Sequence, residues 1–233
     1  MITHVLFDFF GTLVAYSPSR TEQGYEQSHA LLAASGSSLG YEAFLELWST
    51  VSTEFDERAE RSGREFSMLE LAEAFLARAE VQPAPSRELA ARFVTTYVAE
   101  WNKGVRDLPE LANFLARLAN RYSLAVVTNT NDAVLVPRHL ARMGVAEFFE
   151  AVVTSVEHGF RKPRPEIFEH ALDLLGARCD RAVYVGDSFG ADYQGAAAVG
   201  MHSFLIDPGR ASRVPEIARL ESLFQLEERL GLL

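Results

Sequence analysis

The chain has 233 residues, enough to bury one substantial core, or one core and a smaller lobe. Its formal net charge of −10 disfavours a nucleic-acid partner, and 48% hydrophobic with 23% charged residues is typical of a folded globular protein. A single cysteine excludes an internal disulfide and a cysteine-rich metal site. Because the sequence has no apolar run of about 18 residues and no basic segment before its first apolar run, we expect no membrane span, no signal peptide and a cytoplasmic protein.

Five short apolar runs predict buried β-strands, since they lack the polar alternation of strands with one wet face. The runs cover residues 2–7, 123–128, 150–155, 181–186 and 201–206. Helical patterns lie between and beside the later strands, at residues 109–120, 133–144, 166–176 and 191–200, and a last helix is expected at 214–231. This alternation predicts an α/β fold with a Rossmann-like, mostly parallel sheet and helices on both faces.

The alternation of predicted strands and helices is missing between about residues 17 and 103. Apolar residues there recur at helical spacing, and the segment QPAP at 82–85 interrupts the series. We therefore predict an all-helical lobe of four helices, inserted after the first strand. The expected domains are an α/β core at 1–16 and 104–233, and the helical lobe at 17–103.

Chemically useful side chains follow four of the predicted strands in turn. Ligands of open parallel sheets bind beyond the carboxyl ends of the strands, so these side chains are expected to meet in one crevice. They are Asp8 after the first strand, Thr128 and Asn129 after the second, Lys162 after the third, and Asp187 and Asp192 after the fourth.

Lysine is rare in this chain: only Lys103 and Lys162 occur among 22 basic residues. Where the surface needs a positive charge, arginine is used. A compact ammonium at position 162 therefore indicates that a point charge is needed there.

Four segments together resemble the motifs of the haloacid dehalogenase superfamily of aspartate-nucleophile hydrolases: VLFDFFGTLV, VVTNTND, HGFRKPRPEIF and GDSFGAD. They occur in the order of that family, and with the helical lobe in the place of its cap domain the resemblance covers nearly the whole chain. It implies a hydrolase that acts on a small molecule, with Asp8 as nucleophile and Thr128 and Lys162 as further catalytic residues. Thr12 and Asn129 would contact the substrate.

The resemblance also implies a magnesium ion. A dianionic phosphate beside Asp8 would be repelled, and a small hard cation with oxygen ligands would neutralise the pair. By resemblance the ligands are Asp8, the main-chain carbonyl of Phe10 and Asp187. Asp192 and Ser188 would contact these ligands without binding the ion themselves.

Phe10 departs from the phosphatase branch of this family, where an aspartate at that position protonates the leaving group. Losing a general acid typically costs about 10²–10⁴-fold in rate. The sequence favours a magnesium-dependent phosphatase for small phosphorylated metabolites with good leaving groups, and leaves two alternatives open. One is a 2-haloacid dehalogenase, which has an aromatic residue at this position and for which Arg20 is the candidate carboxylate-binding arginine. The other is a phosphometabolite-binding module with impaired catalysis; the oligomeric state is not predicted.

Overall fold

The computed structural model describes residues 1–16, 24–82 and 84–231. The chain forms two compact units, a core unit of Met1–Ala15 with Asp107–Leu233 and a helical unit of Tyr16–Arg106. Within the described ranges, none of the helices combines the length and hydrophobicity needed to cross a bilayer.

Eight strands and ten α-helices lie within the described residues of these units. The strands are β1 (His4–Phe7), β2 (Val14–Tyr16), β3 (Val105–Asp107), β4 (Ser123–Thr128), β5 (Phe149–Thr154), β6 (Ala182–Gly186), β7 (His202–Ile206) and β8 (Arg219–Leu220). The helices are α1 (Glu26–Ala34), α2 (Tyr41–Ser62), α3 (Met68–Arg78), α4 (Arg87–Trp101), α5 (Leu111–Ala119), α6 (Leu135–Arg142), α7 (Ser155–His158), α8 (Pro165–Leu175), α9 (Gly195–Ala198) and α10 (Leu226–Leu230).

The core unit is built on a six-stranded sheet in the order β5-β4-β1-β6-β7-β8, and every pair of neighbouring strands is parallel. The predicted α/β fold with a mostly parallel sheet is thus confirmed. Val5, Leu6 and Phe7 of the central strand β1 are fully buried, as expected for a strand covered on both faces. Strands β2 and β3 pair separately, where the chain passes between the two units.

The strand order sets the position of the site. From β1 the chain proceeds outward through β4 and β5 on one side, and through β6, β7 and β8 on the other. The order therefore reverses at β1, and such a switch point opens a crevice at the carboxyl ends of the adjoining strands. The residues that follow β4, β1 and β6 lie side by side there.

The helical unit packs α1 to α4 around an aromatic core. Phe44, Trp48, Phe75, Phe93 and Tyr97 are all buried, with ring centroids of neighbouring pairs 4.4–6.4 Å apart. This is the packing that the helical spacing of apolar residues predicts.

The start of α1 is held by a buried carboxylate. Glu100 of α4 accepts hydrogen bonds from Gln27 N at 2.8 Å, Ser28 N at 3.0 Å and Ser28 Oγ at 2.6 Å. The two main-chain donors are free amides of a helix N-terminus, where a negative charge is favoured.

The prediction of one helix at 214–231 is wrong. Within that span the structure has a 3-10 turn at Glu216–Ala218, the short strand β8, a second 3-10 turn and α10. The cause is Arg219, which is 7% exposed and forms an ion pair with Asp207 at the end of β7. Arg219 also donates to the carbonyls of Ser212 and Val214, so a long-range ion pair places residues 219 and 220 on the sheet edge.

The helix predicted at 191–200 is also different in detail. The structure has a π-helical turn at Phe189–Gln194, followed by α9. Within this turn the Asp192 side chain accepts hydrogen bonds from Lys162 and from the amide of Ser188. Widened helical turns of this kind are frequent at functional sites.

Candidate active site

Asp8 is the first residue beyond β1. Its amide donates to the carbonyl of Val185 on β6 at 2.8 Å, which extends the strand pairing by one residue and fixes the side chain at the switch point. The residue is only 6% exposed. A carboxylate in such a position needs a partner, because burying an unpaired charge is costly.

Lys162 is that partner. Its Nζ lies 2.6 Å from Asp8 Oδ1, 2.6 Å from Asp192 Oδ1 and 2.7 Å from the Tyr184 hydroxyl. The residue is 3% exposed. An ammonium has three donors, and each of them here has an acceptor within the protein.

Asn129 orients the main chain of Lys162. Its Nδ2 donates to the Lys162 carbonyl at 3.0 Å, and its Oδ1 accepts from the Lys162 amide at 2.8 Å. Both polar ends of the side chain are therefore used within the protein. Asn129 thus positions Lys162. Its contact with substrate stays a prediction, and it would be made by the main-chain amide of Asn129.

The loop after β4 has a second attachment. Ser155 Oγ, fully buried at the start of α7, accepts from Thr130 N at 2.9 Å and contacts Thr130 O at 3.2 Å. Together with the Asn129 contacts, this joins the loop after β4 to the segment that carries Lys162.

Asp192 and Ser188 support the site from one side. Asp192 is 1% exposed, and its Oδ2 accepts from the amide of Ser188 at 2.8 Å while its Oδ1 faces Lys162. Gly186 makes room for this arrangement, because a Cβ at that position would overlap the Asp192 side chain.

Asp187 completes a cluster of three carboxylates. One oxygen from each of Asp8, Asp187 and Asp192 lies within 4.8 Å of the others, and Asp187 itself is exposed. Gly11, with a φ of +84°, is required beside it, since a side chain there would overlap the Asp187 carboxylate. Among the described residues, none donates a hydrogen bond to the carboxylate of Asp187 from its side chain.

The charges of this cluster shift its pKa values. Desolvation, together with the charges of Asp8 and Asp192, raises the pKa of Asp187 to about 7. Burial also raises the pKa of Asp8, although Lys162 opposes that shift. For Lys162 burial acts to lower the pKa, but Asp192 and Asp8 together hold it above its ordinary value, so the ammonium stays charged.

Two hydroxyls of the predicted site are buried, Thr12 Oγ1 and Thr128 Oγ1, in residues that are each 1% exposed. Thr12 Oγ1 has no hydrogen-bond partner in the described part of the chain, whereas Thr128 lies close enough to the Asp8 carboxylate to act as a donor that lowers the pKa of Asp8. A buried polar group left unpaired costs about 1–3 kcal/mol, so Thr12 in particular is suited to bind a ligand's oxygens.

The remaining predicted residues are Phe10 and Arg20. Phe10 is half-buried, and its ring packs edge-on against that of Phe9 with centroids 4.9 Å apart. It presents no titratable group at the position where a general acid is expected. Arg20 lies outside the described residues.

The model of the haloacid dehalogenase-like hydrolase family matches residues 2–200. The chain belongs to this family. The match runs through β1, the helical unit and all four of the segments that bring Asp8, Thr128, Lys162 and Asp187 together.

Two relatives of this family member align over most of their length. A glyceraldehyde 3-phosphate phosphatase of Methanopyrus kandleri is 32% identical over 90% of the chain and 86% of its own length. A ribulose-1,5-bisphosphate 5-phosphatase of Halopiger xanaduensis is 28% identical, covering 94% of this chain and 90% of that one. Some matches are partial: the glyceraldehyde 3-phosphate phosphatase of Methanothermobacter thermautotrophicus is 38% identical over 44% of the chain, which spans 46% of that relative.

Solved structures of the family share the whole fold. A 2-haloacid dehalogenase from Pseudomonas syringae pv. tomato superposes with a TM-score of 0.78 at 26% identity, covering 100% of this chain and 99% of that one. A haloacid dehalogenase-family phosphatase from Thermococcus onnurineus gives a TM-score of 0.58 at 24% identity over 99% and 98% of the two chains. The fold is thus shared with enzymes of both chemistries.

Sequence reasoning missed one residue of this family member's site, Tyr184 on β6. A fully buried tyrosine usually places its hydroxyl on a partner, so a tyrosine within the apolar run RAVYVG was a usable signal. Its hydroxyl donates to the carbonyl of Val127 at 2.6 Å and accepts from Lys162.

Proposed function

We propose that this hydrolase cleaves small phosphorylated metabolites in a magnesium-dependent reaction, with Asp8 as nucleophile. The observation that carries the proposal is the cluster of Asp8, Asp187 and Asp192 around one lysine at the switch point of the sheet. The names of the relatives from Methanopyrus kandleri and Halopiger xanaduensis, both sugar-phosphate phosphatases, support it.

The charge of the site supports a divalent cation. Three carboxylates face one ammonium, so a dianionic phosphoryl group would meet an excess of negative charge. After desolvation, the charges of Asp8 and Asp192 are the causes that raise the pKa of Asp187, and a cation at this point would relieve that repulsion. All the donors are oxygens, which suits magnesium. We propose Asp8, the main-chain carbonyl of Phe10 and Asp187 as ligands; when bound, the ion would supply positive charge opposite the phosphoryl oxygens.

The protein's own groups then perform two displacements. Asp8 attacks phosphorus, so that a bond from its carboxylate oxygen forms while the bond from phosphorus to the leaving oxygen breaks. Lys162, held at 2.6 Å, offsets the charge of the Asp8 carboxylate, and the buried hydroxyls of Thr12 and Thr128 bind phosphoryl oxygens. Water then attacks the phosphoryl-aspartate and releases phosphate.

Phe10 restricts the leaving groups that this site can expel. A phenyl ring can neither protonate a departing alkoxide nor activate water, and a general acid is typically worth about 10²–10⁴-fold. Acyl phosphates need little protonation because their leaving group is a carboxylate. We therefore propose activated phosphates as the substrate class.

The test is an activity screen of the purified chain with acetyl phosphate, p-nitrophenyl phosphate and glycerol 3-phosphate, each with magnesium chloride and with excess EDTA. We expect magnesium-dependent phosphate release that is fastest from acetyl phosphate and slowest from glycerol 3-phosphate. Equal rates with EDTA would contradict the metal requirement, and binding without turnover would indicate the impaired binding module instead.

A second candidate, a 2-haloacid dehalogenase, has two observations in its favour. The structure with a TM-score of 0.78 carries that name, and Phe10 provides an apolar wall where a halide could leave unprotonated. Chloride release from 2-chloropropionate in the presence of EDTA, with no phosphate release in the screen above, would establish this reaction instead.

A further inference from the structure

All three donors of the Lys162 ammonium are engaged within the protein. Asp8 Oδ1, Asp192 Oδ1 and the Tyr184 oxygen lie 2.6, 2.6 and 2.7 Å from its Nζ, so all three N–H groups are engaged. Two of these acceptors are carboxylates, which balance the charge of the ammonium. The third, the Tyr184 hydroxyl, is neutral; it can only orient the ammonium and occupy its third N–H.

The polarity of the Tyr184 hydroxyl is fixed by a second contact. The hydroxyl donates its single hydrogen bond to the carbonyl of Val127 on β4, at 2.6 Å, while Asp192 Oδ1 is farther away at 3.3 Å. The phenol oxygen must therefore accept from Lys162. The ring itself is held in place, because it is fully buried and packs edge-on against Phe168 of α8 with centroids 5.2 Å apart.

From this geometry we infer that Tyr184 is a positioning residue, which accepts the third N–H of Lys162 and so holds the ammonium on Asp8. It follows that Lys162 acts on the nucleophile from a fixed position, and that this position depends on the Tyr184 hydroxyl. The kinetic part of this inference rests on the proposed phosphatase activity, whereas the restraint on Lys162 can be measured without it.

The composition of the chain makes that measurement direct. Lys103 and Lys162 are the only two lysines, and Lys103 is exposed. Labelling with ¹⁵N-lysine therefore yields two ammonium groups, of which Lys103 serves as the internal control. Hydrogen exchange with water is slowed for buried, hydrogen-bonded groups. The Lys162 signal should be visible in the full-length protein at neutral pH, and the Lys103 signal should be broadened by exchange.

The decisive variant is Tyr184→Phe, which removes the oxygen and leaves the ring. We expect hydrogen exchange of Lys162 to accelerate by about tenfold or more, the factor expected when one hydrogen bond to a charged group is lost. The variant Phe168→Leu is the matched control, since it loosens the packing of Tyr184 but keeps its hydroxyl. It should lower the thermal midpoint while leaving the exchange rate of Lys162 within about threefold of wild type.

Both variants are measured in EDTA and again with magnesium chloride, and kcat and KM for acetyl phosphate are then compared. In Tyr184→Phe we expect kcat to fall by about tenfold with KM within about twofold, because the lost hydroxyl acts through Lys162 on the attack by Asp8. Unchanged exchange in Tyr184→Phe, equal acceleration in Phe168→Leu, or a raised KM with normal kcat would each overturn the inference. If the wild type turns over no phosphate, the proposed function fails, and the exchange rates still decide the role of Tyr184.

Discussion

Lys162 Nζ lies 2.6 Å from Asp8 Oδ1, an ion pair between residues 154 positions apart in the sequence. Both partners are buried, so the pair is screened little by solvent. Breaking a buried pair by removing one charge leaves the other uncompensated. Here Asp192 remains as a second acceptor for Lys162, so we expect the site to keep its fold with a neutral residue at position 8.

Asp8→Asn should abolish turnover without unfolding the chain. The amide is nearly isosteric and still offers an oxygen to Lys162, but it is a poor nucleophile. We expect phosphate release from acetyl phosphate to fall by at least about 10³-fold, with a circular dichroism spectrum that matches wild type. Wild-type turnover in the folded variant would rule out covalent catalysis by Asp8.

Asp187→Asn should remove the stabilisation by magnesium. A ligand at 100 times its Kd stabilises the native state by about 2.7 kcal/mol, or roughly 5–10 °C in Tm for a chain of this size. We expect such a shift in the wild type and at most a small one in the variant, measured by differential scanning calorimetry. Asp180→Asn, which alters an exposed carboxylate paired with Arg178, is the control and should keep the full shift. An equal shift in Asp187→Asn would mean that the ion binds elsewhere.

Phe10→Asp should supply the missing general acid. Hydrolysis of glycerol 3-phosphate should rise by up to about 10²–10⁴-fold, and that of acetyl phosphate far less, since its leaving group needs little protonation. Phe10→Asn loses the same packing against Phe9 but has no acidic proton, so it separates acid catalysis from altered packing. A gain that is absent, equal for both substrates, or shared by Phe10→Asn would argue against the phosphatase reading of position 10.

His139 should make the stability of the core unit depend on pH. It is buried beside the ring of Phe9, at a centroid distance of 5.7 Å, and desolvation followed by the charge of Arg142 lowers its pKa, with Asp107 opposing. Above the ordinary value of 6.5 both the folded and unfolded states hold a neutral ring, so this group adds no pH dependence. As the pH falls below 6.5, the unfolded state binds the proton first and the native state loses stability.

The slope from one proton is at most about 1.4 kcal/mol per pH unit. Urea unfolding of wild type and His139→Gln at pH 7.5, 6.5 and 5.5 should show a smaller loss on acidification in the variant. His202→Gln replaces an exposed histidine and is the control. If the loss of stability is the same in wild type and His139→Gln, another group is responsible.

Much of the fold was predictable because burial leaves a periodic trace in the sequence. The five apolar runs became β1, β4, β5, β6 and β7 within two residues at their ends, and the helical spacing of residues such as Phe44 and Trp48 predicted α2. The candidate site was predictable from position in the sheet. Residues that follow neighbouring parallel strands must share one edge, so Asp8, Lys162 and Asp187 could be grouped from the sequence.

Tertiary structure decided what depends on a partner distant in the sequence. The segment at 219–220 is a strand because Arg219 is bound to Asp207, although its own pattern indicates a helix. The Asn129 side chain binds the main chain of Lys162, 33 positions away. The Tyr184 hydroxyl, 22 positions away, accepts the third hydrogen bond of the Lys162 ammonium. Local periodicity reports which residues are buried, but the direction and partner of a buried polar group are fixed only when distant strands have come together.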